Sequence, residues 1–320
     1  MSGATIGGQV RRRIVVTGAA GFVGSHVVER LSAAGRADVV ATDVVRSPRA
    51  EALASLPGVR FKAIDLRDTA ALEEIVAGAD CVVHLAAVRT KAAVTRPREA
   101  YDINVSASYD VMAIAAQHAV RRFVFGSTQS VYGAFAESDI APIREEDARI
   151  RPGLSMYAAS KLGAEAFLSA FAAAGGPQYL SLRFGTVYGP RGHVDSNGGI
   201  LLQVLQALDR GERPAVPWTR DSLSSLIHVD DVAESVVRAV DAREVGTAVN
   251  VVSAPVSAET MYTTLVKLAG GDPADLEWRN EGSRYQVVSQ ERMRSVLGLE
   301  KLINLEDGLS SLIAWYRETR

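Results

Sequence analysis

The chain has 320 residues, 48% of them hydrophobic and 22% charged, with 35 Lys and Arg against 37 Asp and Glu for a formal net charge of −2. This is the composition of an ordinary soluble globular protein, long enough for one large domain or a main domain with a smaller lobe, and the near-neutral balance gives nucleic acid or another polyanion no electrostatic foothold. One cysteine, Cys81, excludes an intrachain disulfide and fits a reducing compartment; the five histidines show no metal-ligand spacing and no run approaches 18 apolar residues, so a cytoplasmic protein without metal, signal peptide or membrane span is expected.

Residues 1–12 read as a flexible lead-in. From residue 13 short apolar runs alternate with helical patterns. Ile14-Val15-Val16 is the first strand, followed by a helix over about 21–34. Val39–Thr42, Phe61–Ile64, Cys81–Leu85 and Arg122–Phe125 are the next four strands, with helical patterns at about 69–77 and 98–118. Short hydrophobic strands without alternation, separated by helices, predict an α/β fold with a doubly wound parallel (Rossmann) sheet covered on both faces. The expected dinucleotide-binding domain is 13–185 plus about 226–253. Segments 186–225 and 254–320 loosen into loops, one helix near 199–210 and mixed helix and turn, and form a smaller C-terminal α/β substrate lobe. In the tail, Leu305, Leu309, Leu312, Ile313 and Tyr316 have the helical spacing of a core face.

Thr17-Gly18-Ala19-Ala20-Gly21-Phe22-Val23-Gly24 sits where the first strand turns into the first helix. Glycines there permit a tight turn and close approach of the backbone to a pyrophosphate, and the helix start offers free N–H groups. Gly18, Ala20, Gly21, Phe22 and Val23 are the candidate contacts. Asp43 ends the second strand 19 residues after Gly24, where a carboxylate accepts hydrogen bonds from an adenosine ribose and repels a 2′-phosphate, which favours NAD over NADP. Arg46, close by, pulls against that preference. Asp65-Leu66 and Leu85-Ala86-Ala87 end the third and fourth strands, at the carboxyl edge where open α/β sheets bind ligands; Asp65 could meet an adenine amine, and the alanines let backbone approach the cofactor.

Ser127-Thr128-Gln129-Ser130-Val131-Tyr132-Gly133 follows the fifth strand at the same edge, and Tyr157-Ala-Ala-Ser-Lys161 opens a predicted helix. Residues i and i+4 are neighbours on a helix, so the Lys161 ammonium can lower the phenol of Tyr157 from about 10 toward a usable base, while a hydroxyl at Ser127–Thr128 shares the proton with a substrate oxygen.

These residues together resemble the extended short-chain dehydrogenase/reductases, the NAD-dependent sugar epimerase/dehydratase family. The resemblance runs from about Ile14 to the C-terminus. It is densest in the glycine loop, Asp65-Leu66, His84–Ala87, Asn104-Val105, Ser127–Gly133, Tyr157–Lys161, Arg183–Pro190 and His228–Ala233. It implies bound NAD, a Rossmann fold and hydride transfer at a sugar carbon. Tyr157 matches the family's catalytic tyrosine, Lys161 its partner on the nicotinamide ribose, and Thr128 the catalytic hydroxyl. Asn104 matches a residue that anchors the helix near the active site.

Two departures qualify what the resemblance implies. Sugar 4,6-dehydratases carry Thr-Asp-Glu at the hydroxyl motif; Gln129 and Ser130 stand here, so dehydration by that route is not expected. Members acting on nucleotide sugars carry a phosphate-binding arginine before the His-Val-x-Asp segment, where this chain has Ser224-Ser225-Leu226. Arg191, Arg213, Arg220 and Arg284 are the candidate replacements. The leading expectation is a UDP-glucose 4-epimerase-like enzyme acting on a nucleotide sugar. The alternatives are an NAD(P)-dependent dehydrogenase or ketoreductase on a non-nucleotide sugar, polyol or ketone, and a non-catalytic NAD-binding regulator, against which the Tyr157, Lys161 and Thr128 set argues. The apolar helices at 98–118 and 157–172 suggest a homodimer.

Overall fold

In the computed structural model, which describes residues 11–133, 142–196, 198–282, 285 and 287–320, apolar runs become strands and helical patterns become the helices between them. The first elements are β1 (Arg12–Thr17), α1 (Phe22–Ala34), β2 (Ala37–Asp43), α2 (Pro48–Ala54), β3 (Val59–Ala63), α3 (Thr69–Val76) and β4 (Cys81–His84). After them come α4 (Thr90–Thr95), α5 (Pro97–Tyr101), a π-helical turn (Asp102–Ala107), α6 (Ser108–Gln117), β5 (Arg122–Thr128), α7 (Met156–Ala173) and β6 (Gln178–Phe184). The remainder is β7 (Thr186–Tyr188), α8 (Gly199–Asp209), β8 (Ala215–Trp218), β9 (Leu223–Ser224), β10 (Leu226–His228), α9 (Val229–Asp241), β11 (Thr247–Val251), β12 (Val256–Ser257), α10 (Ala258–Ala269), β13 (Glu277–Gly282), α11 (Glu291–Leu297) and α12 (Leu305–Glu318).

The chain divides into two units. One takes in the chain as far as Val131 together with Leu154–Arg183 and Ala233–Val249. The other takes in Tyr132–Gly153, Phe184–Val232 and Asn250–Arg320. The first is built on a seven-stranded sheet in the order β11-β6-β5-β4-β1-β2-β3, parallel throughout the β3–β2–β1–β4–β5 run. This is the doubly wound Rossmann order, with the reversal at β1 and β4. Strands β4 and β5 are buried along their whole lengths, as helices on both faces require. The core packs Val15, Val82, Phe123 and Phe125 of the sheet against Leu72 and Ile75 of α3, Val111 and Met112 of α6 and Leu168 of α7.

The second unit holds three short strand pairs, β7 with β10, β9 with β12 and β8 with β13. Its core joins Leu201 and Leu205 of α8, Met261 and Leu265 of α10, and Leu309, Leu312 and Ile313 of α12, so the tail's helical spacing is a core face.

Three details differ from the sequence reading. The helix expected over 98–118 is interrupted: Pro97 starts α5, and the π-helical turn at Asp102–Ala107 re-phases the chain before α6. The extra residue in that turn rotates the face, and Asn104 and Ala107 end up buried. Within 226–253, Leu226–His228 pairs with β7 in a sheet of its own, and Thr247–Val251 joins the edge of the main sheet. Strand β6 was not read as a strand, because Gln178, Ser181 and Arg183 break its apolar run.

Candidate active site

The glycine loop is shaped by contacts that exclude side chains. Gly18 has φ +66, and a Cβ there would lie 2.7 Å from the backbone N of Ala86. A Cβ on Gly24 would overlap the carbonyl of Gly18. Gly21 caps α1 with no side chain over the first-turn N–H groups, and its own N–H donates to Gly18 O at 3.1 Å. The loop therefore presents bare backbone donors at the positive end of a 13-residue helix, beside the chain at Ala86. Phe22 and Val23 form the first turn. These residues fit a dinucleotide pyrophosphate.

Asp43 is locked to this loop. Its carboxylate accepts from the N–H of Ala20 at 3.0 Å and of Val44 at 2.8 Å. Asp65 is paired within the chain: Arg67 grips its carboxylate with Nε at 2.9 Å and Nη2 at 2.5 Å, holding it down at about 2. Leu66 buries its side chain in the core.

The segment after β4 is tied at both ends. Leu85 N donates to Thr17 O and Ala86 N to Thr17 Oγ1. Beyond Ala87, Asn104 clamps Val88, accepting from its N–H at 2.7 Å and donating to its carbonyl at 2.9 Å. The same amide donates to Ser160 Oγ at 3.1 Å, and Ser160 in turn donates to the carbonyl of Tyr157. Asn104 thus links the loop after β4 to the first turns of α7.

Tyr157 and Lys161 lie on α7, which Ser155 caps by accepting from Ala158 N at 3.1 Å. Thr128 closes β5, and its Oγ1 accepts from Ser130 N at 3.1 Å and donates to Ser130 Oγ at 3.2 Å. The end of β5 and the start of α7 both belong to the carboxyl edge of the sheet. Lys161 is 1% exposed, with Nζ 4.1 Å from the centroid of the Phe125 ring. Burial pulls its ammonium down to about 7, against the raising influence of Glu165. Burial also pushes the Tyr157 phenol up to about 12, with Arg89 opposing. Lys161 is buried and Tyr157 half-buried, and in the chain alone desolvation disfavours the charged form of each.

Two sets of side-chain contacts at this edge go beyond the sequence reading, which names Ser127, His84 and Arg183 but not their partners. Ser127 Oγ donates to Glu165 Oε1 at 2.5 Å, and Arg183 holds the same carboxylate with Nε at 3.1 Å and Nη2 at 2.6 Å. His84 is fully buried between Thr17 Oγ1 at 2.7 Å and Ser108 Oγ at 2.9 Å, its ring stacked on Phe125, and burial takes it down to about 3. The recurrence of Glu165 four residues after Lys161 was the available signal for the first group. Nothing local marks the second.

The substrate candidates lie in the other unit. Arg220 stacks on Trp278 at 4.8 Å and pairs with Glu259 at 2.9 Å, both of these charged side chains being exposed. Arg191 follows β7 with φ +68, and Arg284 lies outside the described residues. Cys81 is buried, its thiol pushed up to about 12 by desolvation, which makes it a core residue and no nucleophile. Among the described residues no cluster of His, Cys, Asp and Glu could hold a metal, and no helix is long and apolar enough to cross a membrane.

Known proteins resemble this chain over most of its length. The model of the NAD-dependent epimerase/dehydratase family matches residues 14–252. The chain is 29% identical to a dTDP-glucose 4,6-dehydratase of Streptomyces griseus, over 96% of this chain and 94% of the relative. It is also 29% identical to the UDP-glucose 4-epimerase of Mycolicibacterium smegmatis, over 95% of this chain and 98% of the relative. Among solved structures, the Thermus thermophilus UDP-glucose 4-epimerase in complex with NAD superposes with a TM-score of 0.80 at 28% identity, covering 95% of this chain and 99% of that one.

Proposed function

The chain belongs to the NAD-dependent epimerase/dehydratase family, and we propose that within it the protein is a nucleotide-sugar epimerase acting at C4 through a transient ketone. The observation that carries this reading is Thr128-Gln129-Ser130 at the end of β5, together with Tyr157 and a buried Lys161 on α7. A hydroxyl, a phenol and an ammonium suffice to move one proton off and onto a sugar hydroxyl. Loss of water needs an additional acid and base, which Gln129 and Ser130 do not supply.

In this reading Tyr157 takes the proton of the C4 hydroxyl as that carbon is oxidised and returns it when the ketone is reduced from its other face. Thr128 Oγ1 hydrogen-bonds the same oxygen and keeps it within reach of the phenol. Lys161 supplies the positive charge that favours the phenolate against the burial that raises it. Bound NAD would supply reversible hydride acceptance at the substrate carbon, with no net consumption over a cycle. The glycine loop holds the pyrophosphate, and the Asp43 carboxylate selects NAD by repelling a 2′-phosphate.

A second reading, a dehydrogenase or ketoreductase on a non-nucleotide substrate, is favoured by Ser224-Ser225-Leu226, which stands where nucleotide-sugar members carry a phosphate-binding arginine. The two separate when UDP-hexoses and simple polyols are screened at 340 nm with product analysis. Epimerised sugar without net NADH supports the first reading; stoichiometric NADH accumulation overturns it. Tyr157→Phe should lower kcat by at least about 100-fold while leaving NAD binding intact.

The assembly we infer is a cytoplasmic homodimer. Tyr109 of α6 and Phe167 of α7 are 44% and 41% exposed and meet edge to face at 5.6 Å, which gives this pair of helices an apolar outer face suited to a second copy. Sedimentation at micromolar concentration tests it, a monomer mass being the contrary result.

A further inference from the structure

Thr17 ends β1 and His84 ends β4, and the two are register partners in that parallel pair. Their side chains meet: Thr17 Oγ1 lies 2.7 Å from His84 Nδ1 and accepts from the N–H of Ala86 at 3.3 Å. On the other side of the ring, His84 Nε2 lies 2.9 Å from Ser108 Oγ, which donates to the carbonyl of Ile103 in the π-helical turn at 3.3 Å. Thr17, His84 and Ser108 are all buried, and among the described residues their side chains make no hydrogen bond outside this row. The row therefore runs without a gap from the loop after β4, through the end of the sheet, to the segment before α6. Ala86 stands at its head, and a Cβ on Gly18 would lie 2.7 Å from the backbone N of that residue. The row ends where the glycine loop comes closest.

A hydroxyl has one hydrogen to give and two lone pairs, which orders the hydrogens along the row. Ser108 uses its hydrogen on Ile103, so it accepts from His84 Nε2. We propose that His84 is a positioning residue for the dinucleotide: as the neutral Nε2–H tautomer it takes the Thr17 hydroxyl hydrogen at Nδ1, which turns a lone pair of Thr17 toward Ala86 N–H and fixes the backbone that Gly18 packs against. A hydrogen on Nδ1 instead would leave the Thr17 hydroxyl hydrogen without an acceptor in the row. The ring itself is held by aromatic contacts, stacked on Phe125 at 5.8 Å and edge-on to Phe123 at 6.1 Å. Phe125 also carries Nζ of Lys161 at 4.1 Å, so a second cation at His84 is disfavoured. Asn104 holds the same loop further on, at Val88. Without the acceptor at Nδ1 the Thr17 hydroxyl is free to rotate, and the tether on Ala86 slackens.

The inference rests on the reading that the glycine loop and Ala86 hold NAD. Its test reads NAD affinity by fluorescence titration with no sugar present, and the His84 tautomer by two-bond proton–nitrogen correlation in histidine-labelled protein. The spectrum should show a protonated Nε2 and a bare Nδ1, on the histidine whose signals move in Thr17→Val; a protonated Nδ1 overturns the proposal. Thr17→Val keeps the shape and removes the hydroxyl, and should raise the Kd for NAD about tenfold, the effect of one hydrogen bond, while Thr17→Ser should restore it to within about threefold of the wild-type value. His84→Leu should weaken NAD about tenfold as well, and His84→Asn, whose Oδ1 can accept from Thr17, should weaken it less. A merely structural His84 leaves affinity unchanged in the folded variants, and that result overturns the proposal. Should the His84 variants fail to fold, the Thr17→Val and Thr17→Ser contrast decides together with the wild-type tautomer: equal affinities reject the proposal, and a loss in the Val variant alone with a bare Nδ1 supports it. A wild-type protein that binds no NAD overturns the reading of the loop and this inference with it, whereas firm wild-type binding that no variant alters overturns the inference alone.

Discussion

Nζ of Lys161 lies 4.1 Å from the centre of the Phe125 ring, so the ammonium rests on an aromatic face in the middle of β5. Such a contact is worth about 2 kcal/mol when desolvated, and it offsets part of what burial costs. The net balance is still unfavourable to the charge, because Lys161 falls to about 7. The fold thus retains a lysine that destabilises it, as is common where a charged group serves chemistry rather than packing.

Replacing that lysine should stabilise the protein in a pH-dependent way. The folded value near 7 lies below the unfolded value near 10.5, so the unfolded chain binds the extra proton between them. Stability therefore falls as pH drops from about 10.5 to 7, and the penalty is complete below 7. Lys161→Met is expected to raise Tm at pH 7 by at least about 2 °C, with the gain shrinking by pH 9.5, while kcat drops at least about 100-fold. Calorimetry at the two pH values checks the first statement. A Tm gain that is equal at both would show that packing, not charge, is responsible.

The glycine loop gives a sharper contrast. Gly18 and Gly35 have nearly the same backbone angle, φ +66 and φ +64, but a Cβ at Gly18 meets the backbone of Ala86 whereas one at Gly35 meets nothing within 4 Å. Gly35→Ala should cost about 1 kcal/mol of stability from the left-handed backbone alone and leave NAD affinity unchanged. Gly18→Ala should carry the same strain and in addition displace the loop from Ala86, reducing NAD affinity about 100-fold. Titration of both variants by fluorescence decides it; equal affinities would remove the close approach at Ala86 from the account of the site.

Much of this arrangement was legible in the sequence because it follows local rules. The glycine loop, the strand-end Asp43 and the Tyr157–Lys161 pair are each set by a turn, a strand end or a helical spacing, and the structure puts Ala20 and Asp43 in direct contact. What was not legible depends on side chains meeting across distant segments. Ser127, Glu165 and Arg183 are separated by 38 and 18 residues and meet only once β5, α7 and β6 are adjacent. Spacing likewise reveals the charge that neighbours Tyr157, whereas the burial that raises its phenol is a property of the folded chain. The break at Asp102–Ala107 likewise has no Gly or Pro inside it to announce it; Asn104 turned inward to Val88 and Ser160 accounts for it in the fold.

His84 provides the acid-side counterpart to Lys161. Its ring sits fully buried between the hydroxyls of Thr17 and Ser108, which can serve a neutral imidazole as one donor and one acceptor. The folded value near 3 lies below the unfolded value near 6.5, so below pH 6.5 the unfolded chain gains a proton that the folded chain refuses. Stability contributed by this site is full above pH 6.5 and is lost progressively as pH falls toward 3. Between pH 7 and pH 4.5 the loss amounts to about 2–3 kcal/mol. His84→Gln keeps a donor and an acceptor but does not titrate. It should cost about 1–3 kcal/mol at pH 7 through poorer hydrogen bonds, and lose correspondingly less than the wild-type protein on acidification. Urea unfolding at pH 7 and pH 4.5 measures both quantities. If the two proteins lose the same stability between those pH values, the buried imidazole is not what makes this fold acid-sensitive, and the protonation of carboxylates such as Asp65, held near 2 by Arg67, has to carry the effect at lower pH instead.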